Sequence, residues 1–75
     1  MNPNEFDAAY RAFRRRSPFR AFLIEFTSGQ QAPVGHPGAV RKEGVLYVMR
    51  RTDGGHVVFA AESVTRLLDH SATVT

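Results

Sequence analysis

The clearest strand-and-turn signal in the sequence is Phe22-Leu23-Ile24-Glu25-Phe26-Thr27-Ser28-Gly29. Phe22, Ile24 and Phe26 lie on one parity of this stretch, and Glu25 lies on the other, which is typical of a strand with one buried face. The closing Ser-Gly pair is typical of a tight hairpin turn, because glycine reaches positive φ without strain. The stretch therefore predicts the first strand and the first turn of an antiparallel sheet.

Beyond this hairpin the residues predict a return strand and a turn. Residues 30–35 form the return strand, and Pro33 restricts it to a sheet edge or a bulge, because proline has no N–H for the ladder. His36-Pro37-Gly38 predicts a turn, which we expect His36 to fix by a hydrogen bond. Residues 41–44 are polar and predict a connector.

Three further strands complete the predicted sheet. Residues 45–49 are apolar at every position, and not only at alternate positions. Because successive side chains of a strand point to opposite faces, we expect a strand that is covered on both faces. Thr52-Asp53-Gly54-Gly55 predicts a second hairpin turn, and residues 56–61 predict its partner strand, with Val57 and Phe59 on one face. Residues 64–68 predict one short helical turn that runs into a last strand.

Upstream of the first strand, the residues predict an amphipathic helix at about 3–16. Asn2 suits the N-cap, Pro3 suits the first helical position, and Glu5 suits the capping box. The apolar residues at helical spacing are Phe6, Ala9, Tyr10 and Phe13. We expect the helix to end before Pro18, because the residue that precedes a proline avoids the helical region.

One helix and five short strands predict a mainly β fold in a single domain, residues 1–75. Small open sheets leave two bare edges, so the pattern favours a strongly bent or closed antiparallel barrel at about 19–69, with the helix over one open end. Residues 70–75 are expected to form a frayed tail.

The length and composition exclude several classes of protein. A chain of 75 residues has room for one thin core, which excludes large multidomain enzymes. The sequence has no cysteine, so it holds no disulfide, thiol nucleophile or Cys-based metal site, and a reducing cytoplasmic location is expected. No apolar run approaches the roughly 20 residues that span a bilayer, and the N-terminus lacks the layout of a signal peptide, so no membrane partner is expected.

The positive charge is concentrated in one short stretch. The formal net charge is +3, and residues 11–20 contain five arginines and no acidic residue. The rest of the chain holds five basic and seven acidic residues. The arginines of the basic stretch are Arg11, Arg14, Arg15, Arg16 and Arg20.

The order of elements resembles the Sm-like fold, the small SH3-like barrel of Sm, LSm and Hfq proteins. Residues 22–29 resemble its opening strand and glycine, residues 44–49 its third strand, and residues 59–68 its closing strands. This resemblance implies a five-stranded, strongly bent antiparallel barrel, RNA as a partner, and rings formed by pairing of strand edges. Residues 59–63 lack the basic and histidine residues that Hfq carries in that loop.

A second resemblance rests on short motifs. Ser17-Pro18-Phe19-Arg20-Ala21-Phe22, together with Gly29, His36-Pro37 and Asp53-Gly54, is similar to a family of small uncharacterised bacterial proteins that read Pro-Phe, then Gly, then His-Pro. This resemblance implies no activity.

Two interpretations of the arginine stretch stay open. Arginines at helical spacing could face a phosphate backbone, where each neutralised phosphate releases counterions. They could also form a solvated helix face whose cations lie near the C-terminus, where the helix dipole favours them. Five arginines without an acidic residue among them favour binding, so we predict a nucleic-acid interface, with RNA favoured by the resemblance, at the five arginines of residues 11–20.

No pattern of a catalytic or metal site is present. His36, His56 and His70 have no ligand spacing and no cysteine beside them, so neither a metal site nor a cofactor is predicted. The nucleophile elbow and the phosphate-binding glycine loop are also absent, so we expect no enzyme, no catalytic residue and no small-molecule substrate. Most aromatic residues are expected in the core, with Tyr47 and Phe19 partly exposed.

The alternative function is a module for protein interaction or self-assembly, as a ring or a dimer. Small barrels expose strand edges that can pair with another chain, and the apolar residues on both parities of 45–49 and 57–61 would then serve a subunit interface.

Overall fold

The computed structural model describes residues 1–51 and 53–70, and the chain in this part is mainly β with one α-helix. The helix α1 is followed by six short strands, and a 3-10 turn at Ala61–Ser63 precedes the last of them. The bounds are α1 Pro3–Arg14, β1 Phe22–Phe26, β2 Gln31–Val34, β3 Val40–Glu43, β4 Leu46–Arg50, β5 His56–Phe59 and β6 Val64–Asp69.

The predicted start of the helix is confirmed. The Asn2 side chain accepts a hydrogen bond from the Glu5 backbone N–H at 2.8 Å, and the Glu5 carboxylate accepts one from the Asn2 N–H at 3.0 Å. This reciprocal pair satisfies two of the N–H groups that a helix leaves unpaired at its start. The helix ends at Arg14, two residues before the predicted end, and the Arg15 N–H donates to the Arg11 carbonyl at 3.0 Å.

The strands form two antiparallel sheets of three strands each. The first sheet has the order β2-β1-β6, and the second has the order β3-β4-β5. The prediction of one helix followed by antiparallel strands is confirmed. The sequence favoured five strands in one strongly bent or closed barrel, whereas the described part of the chain has six strands in two sheets that do not form a closed barrel. The ladder breaks at residues 35–39, between β2 in the first sheet and β3 in the second.

The strand that the sequence did not predict is β3, which lies in the segment that was predicted as a polar connector. Its register pairs Arg41 with Val48 and Lys42 with Tyr47. Only Val40 of this strand is buried, so its own residues carry almost no apolar pattern. Hydrogen bonding to β4 creates the strand, and charged side chains are a usual feature of an edge strand.

The expectation that both faces of residues 45–49 are covered was also wrong. Tyr47 and Met49 are buried, whereas Leu46 is 41% and Val45 84% exposed. The strand β4 alternates in and out, so the second sheet has an open outer face. On β5 the predicted inward side is confirmed, with Phe59 buried and Val57 half-buried.

The aromatic residues of α1 join the two sheets. The Phe6 ring lies 4.6 Å from the Tyr47 ring and 5.6 Å from the Phe59 ring, both in the second sheet. The Phe13 ring lies 5.0 Å from that of Phe22 in the first sheet. Aromatic pairs at such distances add to the free energy of burial. The helix is thus fixed against both sheets, and this fixes its outer face.

The remaining boundary predictions concern the edges and the end of the chain. Pro33 lies in β2, an edge strand that pairs only with β1, as predicted. The glycines of the two predicted hairpin turns have positive φ, 91° at Gly29 and 95° at Gly54. Within the predicted tail, the His70 N–H donates to the Ala21 carbonyl at 3.4 Å, and residues 71–75 lie outside the described residues. In the described part of the chain, no helix is long and apolar enough to cross a membrane.

Candidate nucleic-acid interface

Four basic side chains line a groove between α1 and β3, which we call the basic groove. Its volume is about 400 Å³, and its cations are Arg11 and Arg14 from the helix and Arg41 and Lys42 from the strand. All four residues are exposed, and one acidic residue, Asp7, lines the groove with them. A concave surface with such an excess of one charge attracts ligands of the opposite charge.

The floor of the basic groove is held by a hydrogen bond between the helix and the second sheet. The Tyr47 hydroxyl donates to Asp7 Oδ1 at 2.7 Å, and Lys42 Nζ lies 3.8 Å from Asp7 Oδ2. Burial, together with the hydrogen bond and the charge of Asp7, raises the pKa of Tyr47 to about 12. Tyr47 therefore stays a neutral donor over the whole physiological range, and it fixes the distance between α1 and β4.

A second tyrosine anchors the other end of the groove. The Tyr10 hydroxyl donates to the Pro37 carbonyl at 2.9 Å, and burial raises the pKa of Tyr10. The Arg14 guanidinium lies over the Tyr10 ring, 5.6 Å from its centroid. This cation–π contact orients Arg14 while leaving it exposed for a ligand.

The structure divides the five arginines predicted from the sequence into three groups. Arg11 and Arg14 line the basic groove, as described above. Arg15 and Arg20 are exposed and do not line it. Arg16 is different, because its guanidinium forms an ion pair with Asp69 and only 19% of its side chain is exposed.

Arg16 connects the end of the helix to the first sheet. Its Nη2 donates to the Arg20 carbonyl at 3.0 Å, and its guanidinium lies 4.7 Å from the centroid of the Phe13 ring. The hydrogen bond from Arg16 lowers the pKa of Asp69. Within the described residues, Arg16 thus acts as a structural cation with its charge matched by an acid.

The sequence-based prediction missed Arg41 and Lys42. They are 27 or more positions from the helix arginines, and they fell in the predicted connector. The pairing of β3 with β4 brings them opposite α1. The sequence shows two adjacent basic residues, but they could be placed at the groove only by a strand, and this strand is defined by its hydrogen bonds to β4 and not by its own residues.

The aromatic residues are used in the core. Tyr47 was expected to be partly exposed and is only 3% exposed, so that prediction was wrong, whereas Phe19 is half-buried as predicted. Among the described residues no phenylalanine or tyrosine is exposed. The basic groove therefore offers guanidinium and ammonium groups to a ligand and no open aromatic ring on which a base could stack.

The histidines and acidic residues of the described part of the chain do not gather into a common site. The prediction for His36 is confirmed, since its Nδ1 accepts a hydrogen bond from the Gly38 N–H at 2.9 Å. His56 is exposed on β5 and faces away from the core. In the part of the chain that the structure describes, no cluster of three histidine or acidic residues has the geometry of a metal site.

The outer face of the second sheet exposes apolar side chains. Val58 is 60% exposed and pairs with Val48, which is half-buried on the same face. Leu46 follows along β4 at 41% exposure. These three residues form what we call the aliphatic patch. In the ladder Arg41 pairs with Val48 and Glu43 pairs with Leu46, and Arg50 lies two residues beyond Val48 on β4.

Comparisons of the chain with protein-family models, with curated proteins and with solved structures found no match.

Proposed function

We propose that this protein is a small, non-enzymatic cytoplasmic module that binds nucleic acid, and RNA in particular, through the basic groove. The single observation that carries the proposal is the meeting of Arg11 and Arg14 with Arg41 and Lys42 around one concavity. Residues that are far apart in the sequence thus combine into one positive surface, which a solvated helix face alone would not require.

The contacts available in the groove favour the phosphate backbone as the ligand. Arginine and lysine side chains bind phosphate oxygens, and such contacts position a nucleic acid without reading its sequence. The aromatic rings beside the groove are buried, so bases cannot stack on them. We expect binding with little sequence preference and a strong dependence on salt.

Two of the groove arginines, Arg11 and Arg14, lie on the same helix, so one double variant removes both of them. We expect the double variant Arg11→Gln/Arg14→Gln to bind a mixed RNA pool more weakly than the wild type at low salt. Its slope of log K against log salt should fall by about 1.4, since each phosphate contact to a single strand contributes about 0.7. Fluorescence anisotropy at several salt concentrations measures both quantities.

The control removes the same charge from the same stretch but outside the groove. Arg15→Gln/Arg20→Gln has the same net charge as the groove variant, and both of its positions are exposed. It should keep most of the affinity and the slope. Equal losses in the two variants would mean that net charge, and not the groove, attracts the RNA. No binding by the wild type at low salt would overturn the proposal.

The resemblance to Sm-like proteins supports a proposal about the shape of the fold. It is supported by the helix followed by antiparallel strands, and by the position of β2 and β3 on either side of a short break at residues 35–39. Taken as one strongly bent strand, β2 and β3 would give the five strands of an SH3-like or Sm-like barrel. RNA is favoured over DNA as the ligand on this resemblance.

A second candidate function is supported by the aliphatic patch. Contiguous exposed apolar side chains are typical of surfaces that bind another protein chain. On this alternative the module assembles with itself or with a protein partner and does not bind nucleic acid. Light scattering in solution decides the self-assembly version, because a monomer at high concentration would exclude a stable ring or dimer.

A further inference from the structure

The positive surface does not end at the basic groove. Arg41, which lines the groove, also lines a small notch of about 50 Å³ on the outer side of the second sheet, together with Arg50 and His56. Arg50 in turn lines a third concavity, of about 410 Å³, with Arg51 and His36. Since each neighbouring pair of concavities shares an arginine, the three are contiguous.

The register of the sheet sets the spacing along this path. Arg41 pairs with Val48, and Arg50 lies two residues further along β4 on the same face, so Arg41 and Arg50 are diagonal neighbours. Diagonal neighbours on one face of a sheet lie roughly 7–8 Å apart. His56 pairs directly with Arg50, which brings it within roughly 5 Å. The basic side chains of Arg41, Arg50 and His56 are therefore close neighbours along the outer face of the sheet.

The acidic residues along the path are few and already paired. Glu43 Oε2 lies 3.2 Å from Arg41 Nε, and Asp53 Oδ2 lies 3.1 Å from Arg51 Nη2. Both pairs are more than half exposed, so each holds its arginine only weakly. No acidic residue lines the notch or the third concavity among the described residues.

The histidine at the far end presents a donor to the same side. His36 Nδ1 accepts from the Gly38 N–H, so in the neutral ring the proton lies on Nε2. Nε2–H is thus the ring's remaining donor, and His36 lines the concavity together with Arg50 and Arg51. Guanidinium groups and an imidazole N–H together suit phosphate oxygens.

We infer that the nucleic-acid ligand continues from the basic groove past Arg41 onto Arg50 and Arg51, so that one strand follows the edge of β3 from α1 to the turn at residues 36–38. This inference rests on the proposed function and extends it: the ligand is a chain long enough to contact both ends of the path. The aliphatic patch borders the path at Val48 and Val58.

The test combines ligand length with a single substitution. Arg50→Gln is the variant, because Arg50 is exposed and contributes no hydrogen bond from its side chain in the structure as described. The ligands are two uridine homopolymers of about 4 and about 16 nucleotides, the range that small single-strand binding modules occupy. We expect Arg50→Gln to weaken binding of the longer ligand and to lower its salt slope by about 0.7, while the shorter ligand is bound as by the wild type.

Arg66→Gln is the matched control. It removes one exposed arginine from β6, where Arg66 Nε donates to Glu25 at 2.8 Å on the first sheet. It should leave the affinity for both ligands unchanged. A loss in Arg66→Gln equal to that in Arg50→Gln would overturn the path, because only the net charge would then matter.

The outcomes separate the path from the proposed function. If Arg11→Gln/Arg14→Gln weakens binding and Arg50→Gln does not at either length, the path is wrong and the groove stands. If the wild type binds neither ligand at low salt, both proposals fail. The amide resonances of Gly38 and Arg50 in the wild type give an independent readout, since they should shift with the longer ligand alone. Their constancy at saturation would overturn the path even if the variant did not fold.

Discussion

The outer faces of the two sheets differ in how their residues are covered. On the central strand of the first sheet, Leu23 is only 5% exposed although it points away from the main core, and its cross-strand neighbours are Pro33 and Leu68. On the central strand of the second sheet, Val48 lies between Arg41 and the exposed Val58.

The charges follow the same division. On the first sheet Glu25 accepts from Gln31 and from Arg66, and Asp69 pairs with Arg16. On the side of α1 and the second sheet, the exposed cations outnumber the acids beside them. The first sheet thus pairs its own charged groups and covers its own apolar ones, whereas the second sheet leaves apolar area and positive charge for a partner.

The greatest loss of stability is expected from a substitution on the covered outer face of the first sheet. Leu23→Ala should lower the free energy of unfolding by about 2–5 kcal/mol, the usual loss for a buried leucine. Val58→Ala should change it by no more than about 1 kcal/mol, because the side chain is 60% exposed. Urea unfolding followed by circular dichroism measures both values.

Equal losses of stability in Leu23→Ala and Val58→Ala would contradict the difference between the two outer faces. Such a result would mean that the outer face of the second sheet is covered in solution, and self-association would be the first explanation to examine. A measurement at two protein concentrations distinguishes the cases, since the stability of an oligomer depends on concentration.

A smaller effect is expected for the ion pair of the first sheet. The hydrogen bond from Arg16 lowers the pKa of Asp69, so the folded state favours the ionised carboxylate. The resulting stability is present above the ordinary aspartate pKa of about 3.9 and is lost as the pH falls through the lower pKa of the folded state. Arg16→Gln should therefore flatten the fall in stability below about pH 4.

The control for this prediction is Arg15→Gln, one residue away. Arg15 is exposed and forms no side-chain ion pair in the described residues, so its substitution should leave the acid limb of the stability curve unchanged. An unchanged acid limb in Arg16→Gln as well would show that the pair with Asp69 does not contribute in solution.

Local sequence signals were sufficient for much of the fold. The capping box, the apolar face of α1 and the glycines of both hairpin turns each depend on residues within a few positions of one another. The strand β3 could not be predicted in this way, because one buried residue, Val40, does not form a pattern. Its existence depends on the ladder with β4.

The candidate site was predictable only in part for the same reason. Arg11 and Arg14 were found from the excess of charge, but that excess could not separate them from Arg16, whose acid lies 53 positions away. Arg41 and Lys42 required the position of β3. Pairing across the chain, and not composition, decides which cations remain available.

The smallest effect tests the one acid in the basic groove. Asp7→Asn should raise the affinity for RNA about fivefold, since two unit charges about 4 Å apart in water interact by about 1 kcal/mol. Asparagine keeps an acceptor for the Tyr47 hydroxyl, so the junction of α1 with β4 should remain. Glu25→Gln removes an equal charge from the first sheet and should leave the affinity unchanged.

The same variant carries a spectroscopic check that is independent of RNA. The charge of Asp7 is one cause of the raised pKa of Tyr47, so in Asp7→Asn that pKa should fall below about 12 while staying above its ordinary value, because burial is the largest cause. A lower pKa of Tyr47 without a gain in affinity for RNA would contradict the proposed ligand. The groove would then have become more positive and yet would not bind phosphate more tightly. A gain in affinity in Glu25→Gln of the same size would instead show that net charge governs binding and that the two sides of the molecule do not differ.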